Sequence, residues 1–380
     1  MAIIGLDTTY LSVTGKGVSR YQYNLIKGLA QLDKKNCYYI FLNKKNILPE
    51  LPRQENFHYI RIYIPNRICW DQFQLPAIIR KYKLNIYHTT ADTLPIIGQV
   101  KFVLFLFEIP DYRIESMLQS SYNSLYAKIS YRYTKLFFPY SLRKTKVIIT
   151  SSNSTKKDLI QKYGIDENKI QVLYLACDEQ FCPAKDENSL LVTRKKYNAE
   201  AGYVLHISSS DPRDNTPVVI RAYQRTRYES KIPQKLIICG NIGLEEMKFE
   251  KLIRELSLKN SIIFTGRLSE KELAAVYQAA DLFIEPSLYE GFGLQVIEAM
   301  ACGIPVITSN VTSLPEIVGD AGILVSPTDI ESLASAMVKI LTDSGLNQTL
   351  RQKSLERAKF FSWDRAAQET LDIYNKLLSQ

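Results

Sequence analysis

Two rounds of one alternation constrain this chain more than any other feature. The runs AIIGL, CYYIFL, HYIRIYI, NIYH, FVLFLF and KVIITSS are short and almost wholly apolar, with helical spacing at Ser19–Leu32 and Ser154–Tyr163 between them. After residue 180 the pattern restarts with YVLHIS, KLIICG, IIFTG, LFIEPS, PVITS and GILV. Helices are expected there around Val218–Arg227, Glu245–Leu256, Glu270–Ala280, Leu294–Ala301, Ile330–Thr342 and Asn347–Phe361. Strands apolar on both faces are buried parallel strands. Two such βα halves predict an α/β protein with two doubly wound sheets. The polar, proline-bearing segment ACDEQFCPAKDENS marks the boundary. The expected division is 1–179, 180–361 and a last helix over 362–380. Ligands of such sheets bind at the carboxyl ends of strands, where loops enter helix N-termini. Two facing sheets would enclose one cleft, so the informative residues are the first few after each strand.

Composition narrows the classes. The six cysteines form no CxxC pair and have no histidine at metal-ligand spacing, which argues against structural zinc or a disulfide framework and fits a reducing cytoplasm. The start, MAIIGLDTTYL, reads as a buried strand and not a signal peptide. No apolar run approaches the roughly 18 residues of a membrane span. Residues 1–180 carry 25 Lys/Arg and 14 Asp/Glu, a balance of +11, whereas residues 181–380 carry 23 and 25, a balance of −2. The basic excess of the first half fits nucleic acid, anionic lipid, an acidic substrate or a generic basic surface.

The stretch EPSLYEGFGLQVIEAMACGIPVITSN, Glu285 to Asn310, concentrates the chemistry. A strand ends, Gly291 and Gly293 shape a turn that lets backbone approach a ligand, and a helix opens at Leu294 with amides for an anion. Glu290 precedes that helix and Glu298 lies on its second turn. Two carboxylates suit the hydroxyls of a diol better than phosphate; the plainer reading is a surface turn with a helix-face glutamate. His88 ends the strand NIYH and is either a ligand or a satisfied strand-end histidine. His206 lies within a strand and reads as core. Arg20 and Tyr21 follow a glycine loop, and Arg20 suits phosphate, an acceptor anion or solvent. Tyr112–Lys146 holds seven basic residues, one acid and six tyrosines. It fits a helix lying on an anionic membrane, or one packing its tyrosines on the sheet with its cations in water. No RNA motif is present, and nucleic acid is not expected as a partner.

With those residues in view, EPSLYEGFGLQVIEAMACGIPVITSNVTSLPEIVGDAGILVSPTD resembles the signature of the retaining glycosyltransferases of family 4, with its E-x7-E motif at Glu290 and Glu298. TGKGVSRYQYNLIKGL is similar to that family's first glycine loop and helix, and FSWDRAAQETLDIYNKLL to its last helix. The resemblance spans nearly the whole chain. It implies a GT-B fold: two Rossmann-like domains facing each other across a cleft, the first for acceptor and the second for donor, with the C-terminal helix crossing back. It also implies a retaining hexosyltransferase of polysaccharide biosynthesis that uses a UDP-, GDP- or ADP-sugar and an acceptor hydroxyl; the cysteine usage adds a cytoplasmic location, and the segment Tyr112–Lys146 a peripheral one at the inner face of the membrane. Glu298 would bind the ribose diol and Glu290 the donor sugar. The amides of Gly291, Phe292, Gly293 and Leu294 would contact sugar and phosphate. Thr265–Leu268, with Gly266 and Arg267, would line the base, and Gly15 and Gly17 would close on the diphosphate. Glu316 would support the donor loop. No metal or cofactor is implied, since the sequence shows no DxD-type pair in a metal-ligand setting.

Two departures from the family stand out. Asp214 occupies the position of its diphosphate-holding lysine, leaving Arg213 and Arg267 as the nearby cations. Asp214 would either repel the diphosphate or cap the helix beginning near Thr216; the text DNTP favours the cap. Phe107 and Glu108 replace the family's histidine and acid, so the carbonyl of Phe107 would face the anomeric carbon, with Glu108 on the acceptor side alongside Arg20 and Tyr21. A sucrose-synthase-like or phosphorylase-type enzyme, and a catalytically weakened donor-binding regulator or scaffold, are the alternatives.

Overall fold

The computed structural model describes residues 1–13, 17–112, 125–241, 243 and 245–380. They form two compact units. One holds the chain to Tyr112, the stretch from Leu125 to Leu175 and Ser362–Gln380; the other holds Ala176–Phe361.

The sheet of the first unit runs β3 (Phe57–Ile62), β2 (Cys37–Asn43), β1 (Ile3–Asp7), β4 (Ile86–Thr89), β5 (Lys101–Leu106), β6 (Val147–Thr150) and β7 (Ile170–Val172), with every pairing parallel. Six of these strands are the expected runs. The seventh has three residues, too few to show a period. Phe102, Val103, Leu104 and Phe105 are all fully buried, and burial of such side chains contributes roughly 1.5–3 kcal/mol each.

Helix Trp363–Ser379 packs on helix Gly17–Leu32, as a returning C-terminal helix should. The helices come close at Gly28, where an added Cβ would lie 2.3 Å from Cβ of Ala367. Lys101 Nζ donates to the carbonyl of Leu377 at 2.6 Å, fixing the helix end to β5.

The second unit orders its strands β10 (Ile262–Gly266), β9 (Lys235–Cys239), β8 (Tyr203–Ile207), β11 (Leu282–Glu285), β12 (Val306–Ser309) and β13 (Gly322–Val325), again all parallel. Its helices start where caps allow. Ser269 and Glu272 form a reciprocal capping box before Glu270–Gln278, and Asp329 caps Ile330–Thr342. Helix Glu187–Lys196 was not among the expected elements. None of its residues is buried, so it shows no apolar stripe.

Strand order reverses between β1 and β4 in the first unit and between β8 and β11 in the second. The crevice at the carboxyl ends of those pairs is where such a sheet holds a ligand.

Candidate active site

The turn after β11 is built from both sides. Glu285 ends the strand, and Ser287 Oγ donates to its carboxylate at 2.7 Å. Ser309, closing β12, donates its hydroxyl to the carbonyl of Ser287 at 2.7 Å. The Glu290 amide donates to Thr312 Oγ1 at 3.1 Å, and the Ser313 hydroxyl donates to the carbonyls of Glu290 at 2.9 Å and Phe292 at 3.0 Å. Gly291 and Phe292 are buried, and Phe292 packs edge-on against Phe361 with centroids 6.0 Å apart. Gly293 caps helix Leu294–Ala301 at φ 98, and a Cβ there would strike Leu314 at 2.7 Å. A residue other than glycine would meet both strain and a clash. Glu290 is half-buried. Glu298 is 2% exposed and lies against Tyr277, whose phenol is pushed well above its ordinary pKa by burial and by the charges of Glu298 and Glu285.

Thr312 and Ser313 are site-building residues that sequence reading missed. A serine ahead of Leu-Pro-Glu looks like a helix cap, yet Ser313 makes no side-chain cap bond and spends its hydroxyl on the Glu290 turn. Glu316, expected to support that turn, offers its backbone carbonyl to Arg357 at 2.5 Å.

The turn after β8 corrects the reading of Asp214. Its carboxylate does not cap helix Thr216–Ser230. It accepts from the amide and the hydroxyl of Ser209, at 2.5 and 2.7 Å, and so closes its own loop. The cap position belongs to Asn215, at φ 58, whose amide nitrogen donates to the carbonyls of Pro286 and Pro327. Arg213 places its guanidinium on Asp211, with Nη2 2.7 Å from Oδ2, so much of its charge is met locally. Gly266 ends β10 at φ 66 with open space around it, and Arg267 beside it is exposed. His206 is core, as expected: its ring is fully buried between the carbonyl of Ile284 and the hydroxyl of Thr216, and burial lowers its pKa to about 4.

In the first unit, Gly17 opens helix Gly17–Leu32, while Gly15 lies outside the described residues. Ser12 and Ser19 bond each other across that segment. Arg20 and Glu108 are half-buried. Tyr21, expected on the acceptor side, is instead buried in the unit's interior, stacked on Phe105 at 3.9 Å and edge-on to Phe107 at 5.9 Å. Its hydroxyl meets His88 Nε2 at 3.2 Å, and Tyr374 of the last helix meets His88 Nδ1 at 2.5 Å. Burial lowers His88 to about 3. Both ring nitrogens are thus engaged, the geometry of a satisfied strand-end histidine. The carbonyl of Phe107, expected to face a sugar, accepts from the hydroxyls of Ser151 at 3.1 Å and Thr155 at 3.2 Å.

The carboxyl end of β1 carries an ion network that sequence reading also missed. Arg67 bridges Asp7 at 3.1 Å and Asp71 at 2.7 Å. Burial raises the Asp7 carboxyl, but Arg67 and the hydroxyls of Thr9 and Thr89 bring it below its ordinary value. For Asp71 burial outweighs Arg67 and pushes the group up to about 6. Among the described residues no group of three or more His, Cys, Asp or Glu side chains is placed to hold a metal ion.

In helix Leu125–Lys144, Phe138 and Leu142 are buried, whereas Leu136 is 73% exposed. Tyr140 and Lys144 bond the carbonyl of Ile96, and Tyr133 bonds Gln72. Ile97 and Phe73, which follow those two partners in sequence, are exposed. Residues 113–124 of the basic-aromatic segment lie outside the described residues. No helix among those described is long and apolar enough to cross a membrane.

Comparison with known proteins accords with this architecture. Residues 15–181 match the profile described as Glycosyltransferase Family 4, and residues 192–357 match the one described as Glycosyl transferases group 1. O-antigen chain mannosyltransferase B of Escherichia coli is 29% identical over 387 residues, covering 95% of this chain and 96% of that one. The serotype-specific mannosyltransferase WbdA of Escherichia coli is 30% identical over 234 residues, which are 61% of this chain and 29% of that one. Sucrose-phosphate synthase from Thermosynechococcus elongatus has a TM-score of 0.76 over 100% of both chains at 21% identity. HepE of Anabaena, solved in complex with UDP and glucose, has a TM-score of 0.72 over 99% of both chains at 17% identity. The two parallel sheets and the C-terminal helix are those of the GT-B fold.

Proposed function

Because this chain is a glycosyltransferase of the GT-B fold, we propose that it moves a hexose from a nucleotide sugar to a hydroxyl of a growing glycan, retaining the anomeric configuration. The observation that carries this reading is the braced turn Glu290–Gly293 at the strand-order reversal of the second unit, with Glu298 one face behind it on helix Leu294–Ala301. Glu298 takes the ribose hydroxyls and Glu290 those of the sugar. The first-turn amides at Leu294 meet the diphosphate. Asp214 and Arg213 are spent on their own loop, so they are minor ligands. The leaving phosphate accepts the proton of the attacking hydroxyl on the same face, and no protein nucleophile takes part. Transfer needs no divalent metal. Mannose is the sugar to try first, given the relative named for mannosyl transfer.

Thermal-shift titration with UDP, GDP and ADP, then with their hexoses, each with and without EDTA, tests this. Stabilisation by one nucleotide series, insensitive to EDTA, is expected. Stabilisation by none, or only with magnesium or manganese, counts against it. Sugar-1-phosphate formation with inorganic phosphate would favour the phosphorylase alternative.

The acceptor is proposed to be held at a membrane. Ile129, Leu136, Ile97 and Phe73 are exposed in a unit with a strong basic excess, which suits an anionic lipid surface.

A further inference from the structure

Asn215 stands at φ 58 between the loop after β8 and helix Thr216–Ser230, and it is 8% exposed. An asparagine ahead of a helix ordinarily accepts from a first-turn amide, but Asn215 makes no such bond. Its amide nitrogen donates instead to two carbonyls, that of Pro286 at 2.9 Å and that of Pro327 at 2.6 Å. Pro286 follows β11 and opens the donor turn; Pro327 follows β13, two strands further along the sheet. One side chain on a third loop therefore ties both.

Chemistry leaves little choice of residue here. Both prolines are buried, and neither has an N–H, so at those positions the loops can be anchored only by their carbonyls. Among residue types, glycine, asparagine and aspartate adopt a φ near that of Asn215 most readily. Glycine has no side chain, and aspartate would set an acceptor against two acceptors. The amide of asparagine carries two N–H donors, one for each carbonyl.

A second bond joins the same two loops: the Leu288 amide donates to the carbonyl of Arg213 at 2.9 Å. From the β12 side, Ser309, Thr312 and Ser313 bond Ser287, Glu290 and Phe292. The donor turn is thus gripped between two segments, and Glu290 lies two residues past Leu288. The side chains of Asp214 and Arg213 bond Ser209 and Asp211 within their own loop. What that loop extends to the donor turn is a side-chain amide and a backbone carbonyl. We propose that Asn215 is a positioning residue for sugar transfer: it fixes the donor turn at Pro286 and so sets where the Glu290 carboxylate meets the sugar. This rests on the reading of the turn as a nucleotide-sugar site. It adds that the loop after β8 serves transfer by bracing and not by holding the diphosphate. Glu298 and the Leu294 amides lie further along, on the helix, so the hold on the nucleotide does not depend on Asn215.

Two variants of the full chain test this. Asn215→Gly keeps the backbone conformation and deletes both bonds, whereas Asn215→Asp keeps the size and removes the donors. Hydrogen exchange needs no ligand. In Asn215→Gly, amides over 286–293 should exchange several-fold faster than in wild type, while those of helix Glu270–Gln278 keep their rates. Equal exchange over 286–293 overturns the proposal. For turnover, GDP-mannose, UDP-glucose and ADP-glucose are offered, and the one that wild type hydrolyses is used well below every melting temperature. The kcat should fall roughly ten- to hundredfold in Asn215→Gly, as small misplacements do, and further in Asn215→Asp. The Kd of the matching nucleoside diphosphate should not change. A wild-type kcat, or a diphosphate affinity that falls as far as kcat, overturns the positioning role. A purely structural role would lower the melting temperature alone. Because Asn215 acts through Glu290, Asn215→Gly combined with Glu290→Gln should lose little more kcat than Glu290→Gln by itself; losses that multiply contradict it. Should Asn215→Asp fail to fold, Asn215→Gly still carries every arm. If wild type neither binds nor cleaves any of the three donors, the nucleotide-sugar reading falls, while hydrogen exchange still decides whether Asn215 holds the turn.

Discussion

At Glu298, burial and function pull in different directions. A ribose ligand has to be reached from solvent, yet the Glu298 side chain is 2% exposed against Tyr277. Glu298→Ala should weaken nucleotide binding by about 1.5–3 kcal/mol, the worth of charged hydrogen bonds, and should also lower the melting temperature. Unchanged affinity by calorimetry would remove Glu298 from the site. Asp214 makes a second residue-scale case. Asp214→Ala breaks two bonds to Ser209 and should cost about 1–2 kcal/mol of stability with little change in nucleotide affinity. A gain in affinity without loss of stability would restore the picture of an acid repelling the diphosphate. The pair Glu290 and Glu298 was legible in the sequence because spacing across a glycine turn fixes which helix face a residue takes. Ser313 and Asp214 were not. Each is a small polar residue near a proline-started helix, where capping is the ordinary use, and only the fold reveals a nearer partner.

At the level of elements, alternation identified twelve of the thirteen strands among the described residues, because buried parallel strands are apolar on both faces. It missed the three-residue β7 and the helix Glu187–Lys196, which show no period, and it did not name helix Leu75–Tyr82, which buries Leu75, Ile78 and Ile79. Helix Leu125–Lys144 shows the limit of composition. Its tyrosines and cations were legible, but their use was not: Tyr133, Tyr140 and Lys144 are tied to the segment Gln72–Ile96, while Leu136 and Ile97 are exposed. If these two side chains meet lipid, Leu136→Glu combined with Ile97→Glu should reduce sedimentation with anionic vesicles by tenfold or more. The melting temperature should not change, since exposed side chains contribute little to folding. Equal sedimentation would place the interaction elsewhere or nowhere.

For the whole molecule, two Rossmann-like units and a returning helix were readable from pattern and resemblance. The interior polar network was not, because partners such as His88 and Tyr374 lie 286 positions apart in sequence. That network sets a pH response. His88 has its pKa lowered to about 3 by burial, whereas in the unfolded chain it titrates near 6.5. The unfolded chain therefore binds the extra proton between those values, and stability is lost as pH falls from 6.5. Compared at each pH with His88→Gln, wild type should lose about 1.4 kcal/mol per pH unit between 6 and 4. A parallel course of the two proteins would show that His88 is not buried neutral. The central claim, retaining cleavage of a nucleotide sugar at the Glu290 turn, is tested most directly by watching the donor hydrolyse. With water as acceptor and EDTA present, proton NMR of the first-formed free hexose, recorded before mutarotation, should show the anomeric configuration of the donor, and Glu290→Gln should slow its release. An inverted first-formed sugar, or release that needs added metal, would contradict the account.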